Sequence, residues 1–166
     1  MTTSSLSPQI DSCKYILMRS ISETDEDFLK IVVREARDFT DEETAATGLV
    51  GPIEGATLID ADENSRTSEL IWKRYVAVSV RNESYAEADE TANIESGRLL
   101  RIFRSSNFLR YVSKTTFAEM YPEPLIHVEI ACLNHIIDVV STMLPVISLL
   151  GGVPPLRSVT GNDGDG

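Results

Sequence analysis

The chain has 166 residues, 42% of them hydrophobic and 25% charged, and its 15 basic and 26 acidic side chains give a formal net charge of −11. A chain of this length buries roughly 70% of its unfolded surface, so one core needs no disulfide or metal staple. The negative balance repels phosphate backbones and anionic lipid, which argues against nucleic-acid and membrane-surface binding.

Residues 1–12 are polar, without a basic n-region or an apolar h-region, and are expected to form a disordered tail rather than a secretory signal. Residues 13–150 are expected to form a single α+β domain, and residues 151–166, rich in Gly and Pro, a second disordered tail. Residues 14–19, with Tyr15, Ile16, Leu17 and Met18, read as a short buried strand. Thr24 can cap a helix whose first turn carries Asp25, Glu26 and Asp27, and Phe28, Leu29, Val32, Ala36 and Phe39 then recur at helical spacing. Residues 40–55 contain four acids and Gly48, Gly51, Pro52 and Gly55, a loop composition.

From there the period becomes two. Residues 56–59 and 66–72 read as strands, and residues 75–83, rich in valine, are the most β-like run. Lys73 and Arg74 turn the chain between the last two, or one long bent strand runs through them. An acidic loop occupies residues 86–96, followed by a strand over residues 99–103. Ser105 or Ser106 caps a second helix carrying Phe108, Leu109, Val112 and Thr116 on one face, and Pro122 and Pro124 end it.

Residues 125–141 fit two patterns. Ile126, Ile130, Leu133, Ile137, Val140 and Leu144 step as in a helix. The β-branched content and the Leu133-Asn134-His135-Ile136 turn fit a hairpin, with Cys132 opposite Ile137 and Ile130 opposite Val139. Only the hairpin explains both faces: Val128, Ile130, Cys132, Ile137 and Val139 on one, His127, Glu129 and Asp138 on the other. The order strand, helix, four strands, helix, hairpin predicts an α+β fold, an antiparallel sheet of about six strands with two helices packed on one face.

Three blocks carry a resemblance: residues 75–85 (YVAVSVRNESY), 97–103 (GRLLRIF) and 127–140 (HVEIACLNHIIDVV). Over residues 58–147 the chain resembles a family of small microbial α+β proteins with no assigned activity. The resemblance implies a fold and brings no catalytic residue.

No phosphate loop, dinucleotide fingerprint, nucleophile elbow, zinc-protease motif or EF-hand loop occurs, so no cofactor is expected. Cys13 and Cys132 form no Cys-x-x-Cys and lack histidines at zinc spacing, so no metal site is expected either. Cys132 alternates with Val128 and Ile130 and reads as an inert buried thiol. The longest apolar stretch, residues 125–150, is interrupted by His127, Glu129, Asn134, His135 and Asp138, which is unsuited to a membrane span and points to the cytoplasm. Arg98, Arg101, Arg104, Arg110 and Lys114 form a basic run better read as solvated positions than as a nucleic-acid face.

Two polar clusters remain. His127, Glu129 and Asp138 share the polar face of the hairpin, where a carboxylate beside an imidazole could orient a general base. Such a pair on a solvent-facing strand is more often of small energetic consequence. Arg81, Asn82, Glu83, Ser84 and Tyr85 end the valine-rich strand; the arginine could hold an anion and the tyrosine stack on a ligand, or Arg81 and Glu83 simply pair while Asn82 starts a turn. The leading expectation is a non-enzymatic binding protein with an acidic surface. Its partner would be a small polar ligand or a basic protein, an antidote to a basic toxin being one version. The alternative is a small acid/base enzyme with His127 as base, Glu129 as orienting group and Arg81 as anion clamp, which requires these side chains to converge in a concave pocket.

Overall fold

A computed structural model describes residues 5–48 and 56–151. The elements in chain order are α1 (Pro8–Asp11), β1 (Tyr15–Glu23), β2 (Leu29–Asp38), α2 (Asp41–Ala46), β3 (Ile59–Asp60), β4 (Thr67–Trp72), β5 (Tyr75–Asn82), β6 (Asn93–Ser96), β7 (Leu100–Ser105), α3 (Asn107–Thr115), β8 (Ile126–Ala131), β9 (His135–Ser141) and β10 (Val146–Gly151). The ten strands among the described residues form two antiparallel sheets. The first runs β1-β2-β4-β10, with β3 pairing the end of β2, and the second runs β5-β9-β8-β7-β6. The apolar faces of both sheets meet in one core, where Ile16, Ile31, Val33, Leu70 and Trp72 pack with Leu100, Val128, Ile130, Ile137 and Val139.

The fold is therefore mostly antiparallel sheet with few helices, and the expectation of six strands with two helices on one face is corrected. The largest difference is at residues 24–39, where β2 replaces the expected helix. Thr24 does accept backbone N–H groups, from Glu26 at 3.3 Å and Phe28 at 3.2 Å, but it closes the β1–β2 hairpin loop instead of capping a helix. Asp27 completes that loop at φ 59°, a left-handed conformation its short polar side chain tolerates. Leu29, Ile31 and Val33 then face the core at period two.

Three further elements fall where loop or tail was expected. Pro8–Asp11 form a helical turn within the expected first tail, and Ile10 is buried in the core. Thr40 and Glu43 form a reciprocal capping box that starts α2 inside the expected loop, of which residues 49–55 lie outside the described residues. Asn93–Ser96 form β6 within the expected acidic loop. Residues 1–4 and 152–166 of the two expected tails also lie outside the described residues.

The hairpin over residues 126–141 is present, with its turn one residue earlier than expected. Ile130 faces Ile137 and Val128 faces Val139, and Cys132 N–H donates to His135 O at 2.9 Å. Pairing is displaced by two residues, one full side-chain period, so every residue keeps its expected face. Asn134 in the turn reaches the first sheet, accepting from Met18 N at 2.9 Å and donating to Met18 O at 3.2 Å.

Two passages join the sheets at one corner. Lys73 and Arg74 carry the chain from β4 to β5, and residues 142–145 carry it back from β9 to β10. Since β4 pairs β10 and β5 pairs β9, the two passages form one antiparallel ribbon folded over from sheet to sheet. Gly97, at φ 86°, turns β6 into β7 so tightly that a Cβ would lie 1.9 Å from Leu100 O. The following N–H groups of Arg98, Leu99 and Leu100 all donate to Asp11, tying α1 to the second sheet. Burial pushes the Asp11 carboxyl up, but the Ser5 hydroxyl and these backbone donors outweigh it and hold it below its ordinary value. Among the described residues no helix is long and apolar enough to cross a membrane.

Candidate functional site

Strand alternation that sends Val128 and Ile130 into the core sends His127 and Glu129 to the outer face of the second sheet. Register then builds a row across four strands: Arg101 of β7 faces Glu129 of β8, Glu129 faces Asp138 of β9, and Asp138 faces Ser79 of β5. The neighbouring row sets Phe103 opposite His127. Helix α3 packs over β8 and β9, and residues 86–92 close the other side. The outer face consequently becomes the floor of a cavity of about 540 Å³ instead of open surface. Ile94, Phe108 and Tyr111 stand on its walls.

The floor is charged and largely buried. His127 is 1%, Asp138 4% and Glu129 9% exposed, so the expectation of a solvent-facing pair is corrected. Two carboxylates directly opposite one another repel. Flanking arginines offset this: Arg81 Nη2 lies 3.0 Å from Asp138 Oδ2 and 3.8 Å from Glu129 Oε2, and Arg101 Nη1 lies 2.9 Å from Glu129 Oε1. Burial first, and Asp138 second, push the Glu129 carboxyl above its ordinary value, against the opposing pull of Arg101, His127 and Arg81.

His127 is held from every side. Phe103 stacks on its ring at 4.7 Å and Phe108 meets it edge-on at 5.6 Å. Its Nδ1 lies 2.7 Å from Ser106 Oγ and its Nε2 lies 3.0 Å from Asp138 Oδ1. Ser106 is the N-cap of α3 and accepts from Leu109 N–H at 3.0 Å, and its hydroxyl retains both a hydrogen and a lone pair for Nδ1. With a proton on Nε2 the ring donates to Asp138 Oδ1. The sequence Ser106, His127, Asp138, Arg81 is a single chain of hydrogen bonds. Both ring nitrogens are engaged, so His127 orients Asp138 more readily than it meets a ligand.

The wall opposite is pinned in place. Asp89 accepts from Asn107 Nδ2 at 2.8 Å and from Thr91 N at 3.0 Å, and Arg81 Nη1 donates to Glu87 O at 3.2 Å. The backbone N–H of Asn107, at the start of α3, is the main reason the Asp89 carboxyl lies below its ordinary value.

Of the residues singled out from the sequence, His127, Glu129, Asp138 and Arg81 converge here. Asn82, Glu83 and Tyr85 do not line this cavity. Asn82 starts a short helical turn, accepting from Ser84 N at 3.0 Å, and Tyr85 is 88% exposed. Sequence reasoning placed Ser106 only as a cap and Arg101 only in a basic run; their meeting with His127 and Glu129 spans 21 and 28 residues and has no local signature. The rest of that run is dispersed: Arg98 donates to Asp11 O and Cys13 O, and Arg110 to Thr91 and Asn107. Cys132 is a buried free thiol, pushed up to about 12 by burial. Among the described residues no group of three or more His, Cys, Asp or Glu side chains could hold a metal ion. Comparison with known proteins returns no match to a family model, a curated protein or a solved structure.

Proposed function

We propose that this protein binds a small polar molecule in the cavity on the outer face of its second sheet. The observation that carries the reading is the convergence of Arg81, Arg101, Glu129 and Asp138, from four adjacent strands, on the floor of an opening of about 540 Å³. Such a volume is ordinary for a small-molecule site, and a few convergent polar groups among apolar walls are the usual means of orienting a ligand. Burying charge is costly, and an apolar sheet face under α3 would pack without it. A concave site of this kind favours a small molecule over the basic protein partner that charge alone would suit. Two buried free cysteines support a reducing, cytoplasmic setting.

The test is an NMR amide-shift screen of the protein against a mixed library of small acids, amines and neutral molecules. Binders should perturb Ile94, Arg101, Tyr111 and Glu129 together. A screen whose hits scatter over the surface, or which yields none, removes the reading.

A second reading, an acid/base enzyme, has one observation in its favour: Glu129 carries a raised carboxyl pKa beside the cavity. In that case Glu129, rather than His127, is the proton-transferring group. Once a ligand is known, Glu129→Gln should leave binding within a few-fold and abolish turnover.

A further inference from the structure

We infer that the ligand of this cavity is a small monocarboxylate with an apolar body, its carboxylate held by Arg81 and Arg101 and its body lying along Ile94, Phe108 and Tyr111. This rests on the small-ligand reading above. The floor is formally balanced, two guanidinium groups against two carboxylates, but the signs are not equally accessible. The Arg81 and Arg101 side chains are 40% and 37% exposed, whereas those of Glu129 and Asp138 are 11% and 5% exposed. On the floor the cations therefore stand outward of the anions, while Glu87, which is exposed, and Asp89 line the wall across from them.

The guanidinium groups also keep donors in reserve. Arg101 uses Nε on Arg98 O and Nη1 on Glu129, leaving Nη2 without a partner among the described residues. Arg81 uses Nη1 on Glu87 O and Nη2 on Asp138, leaving Nε in the same position. The two arginines flank Glu129, one at each carboxylate oxygen. A planar acceptor with two oxygens suits such donors, and charge-assisted bonds of this type are the strong ones.

The charge balance selects a single negative charge over a dianion. Glu129 faces Asp138 from β9, Arg101 from β7, Arg81 from β5 and His127 on its own strand, with Glu87 and Asp89 across the cavity. An added anion beside this carboxyl, already shifted upward, draws one proton onto it, and that uptake neutralises one charge. Above the floor, Ile94 and Tyr111 are 51% and 62% exposed, apolar surface that a ligand body would cover.

Three probes with one body test the assignment: phenylpropionate, phenylpropylamine and phenylpropanol, each titrated into the full chain by amide-shift NMR and calorimetry. Phenylpropionate should bind at the cavity at least about tenfold more tightly than the other two. Its binding should take up a proton, read from calorimetry in two buffers of different ionisation enthalpy. Arg101→Gln should weaken it about tenfold, and Arg101→Lys, which keeps the charge and serves as the folded control, by less. Tyr111→Ala, at an exposed position, should weaken all bound probes alike. If the amine or the alcohol binds the cavity as tightly as the acid, or if Arg101→Gln leaves the acid unaffected, the monocarboxylate assignment is overturned and the cavity reading stands. If no probe reaches the cavity at millimolar concentration, both fall.

Discussion

The outer faces of the two sheets start from the same alternation and end differently. On the first sheet, Lys30 of β2 and Glu69 of β4 point away from the core and pair at 2.8 Å. On the second, Arg101–Glu129 and Arg81–Asp138 pair at 2.9 and 3.0 Å in equally alternating strands. What separates them is enclosure. Helix α3 packs on β8 and β9, and Asp89 fastens residues 86–92 against its start, so the second set of charges lies inside a cavity. A charged strand face becomes a candidate site when another element encloses it to form a cavity; the Lys30–Glu69 pair, with a similarly covered carboxylate, lines no part of that cavity.

That contrast can be broken most strongly at Asp138. Asp138→Ala strips His127 Nε2 and Arg81 Nη2 of their acceptor and should destabilise the protein by about 3–5 kcal/mol, as loss of one partner of a buried pair does. Glu69→Ala on the first sheet should cost about 1 kcal/mol or less. Urea unfolding of both variants measures the difference, and equal losses would erase the distinction. Next in size is Ser106→Ala, which removes the α3 cap and the partner of His127 Nδ1 together. It should cost about 1–2 kcal/mol and loosen the cavity wall, visible as faster amide exchange in α3 with β1 and β2 unchanged.

The smallest effect sharpens the comparison through pH. The Glu129 carboxyl is raised in the fold, so the stability of the wild type relative to Glu129→Gln is greatest near or below the ordinary glutamate value of about 4.3. That stability declines as pH rises through the folded value, because the ionised form is the one the fold disfavours. Melting temperatures of the two proteins at pH about 5 and about 8 should therefore diverge in favour of Gln at the higher pH. A gap that is constant, or that closes, contradicts the upward shift.

How far the sequence was legible follows from particular residues. The β8–β9 hairpin could be read because both its faces obey one alternation, and a two-residue displacement of register left His127, Glu129 and Asp138 on the expected side. Residues 29–38 could not, for the reason that Glu35 interrupts the apolar alternation. It lies across from Ile16, on the core side, where Arg66 pairs with it at 2.7 Å and also reaches Cys13. An ion pair with a partner 31 residues away is invisible locally, and the coincidental spacing of Phe28, Leu29, Val32 and Ala36 then looked helical. Of the site, the polar face of one hairpin and Arg81 were readable. Arg101, Ser106 and the enclosing loop were not, because they reach the site only through sheet register and the packing of α3.

The folded-over ribbon has a consequence for biogenesis. Strand β4 acquires its second neighbour only when residues 146–151 have been synthesised, although the second sheet is complete at Ser141. A nascent chain paused between those points holds the cavity-bearing sheet whole and the first sheet with a bare edge, the kind of template that recruits other strands. Val146, Leu149 and Leu150 close that edge, so shortening the chain before them should show itself first as aggregation, and only secondarily as loss of the cavity.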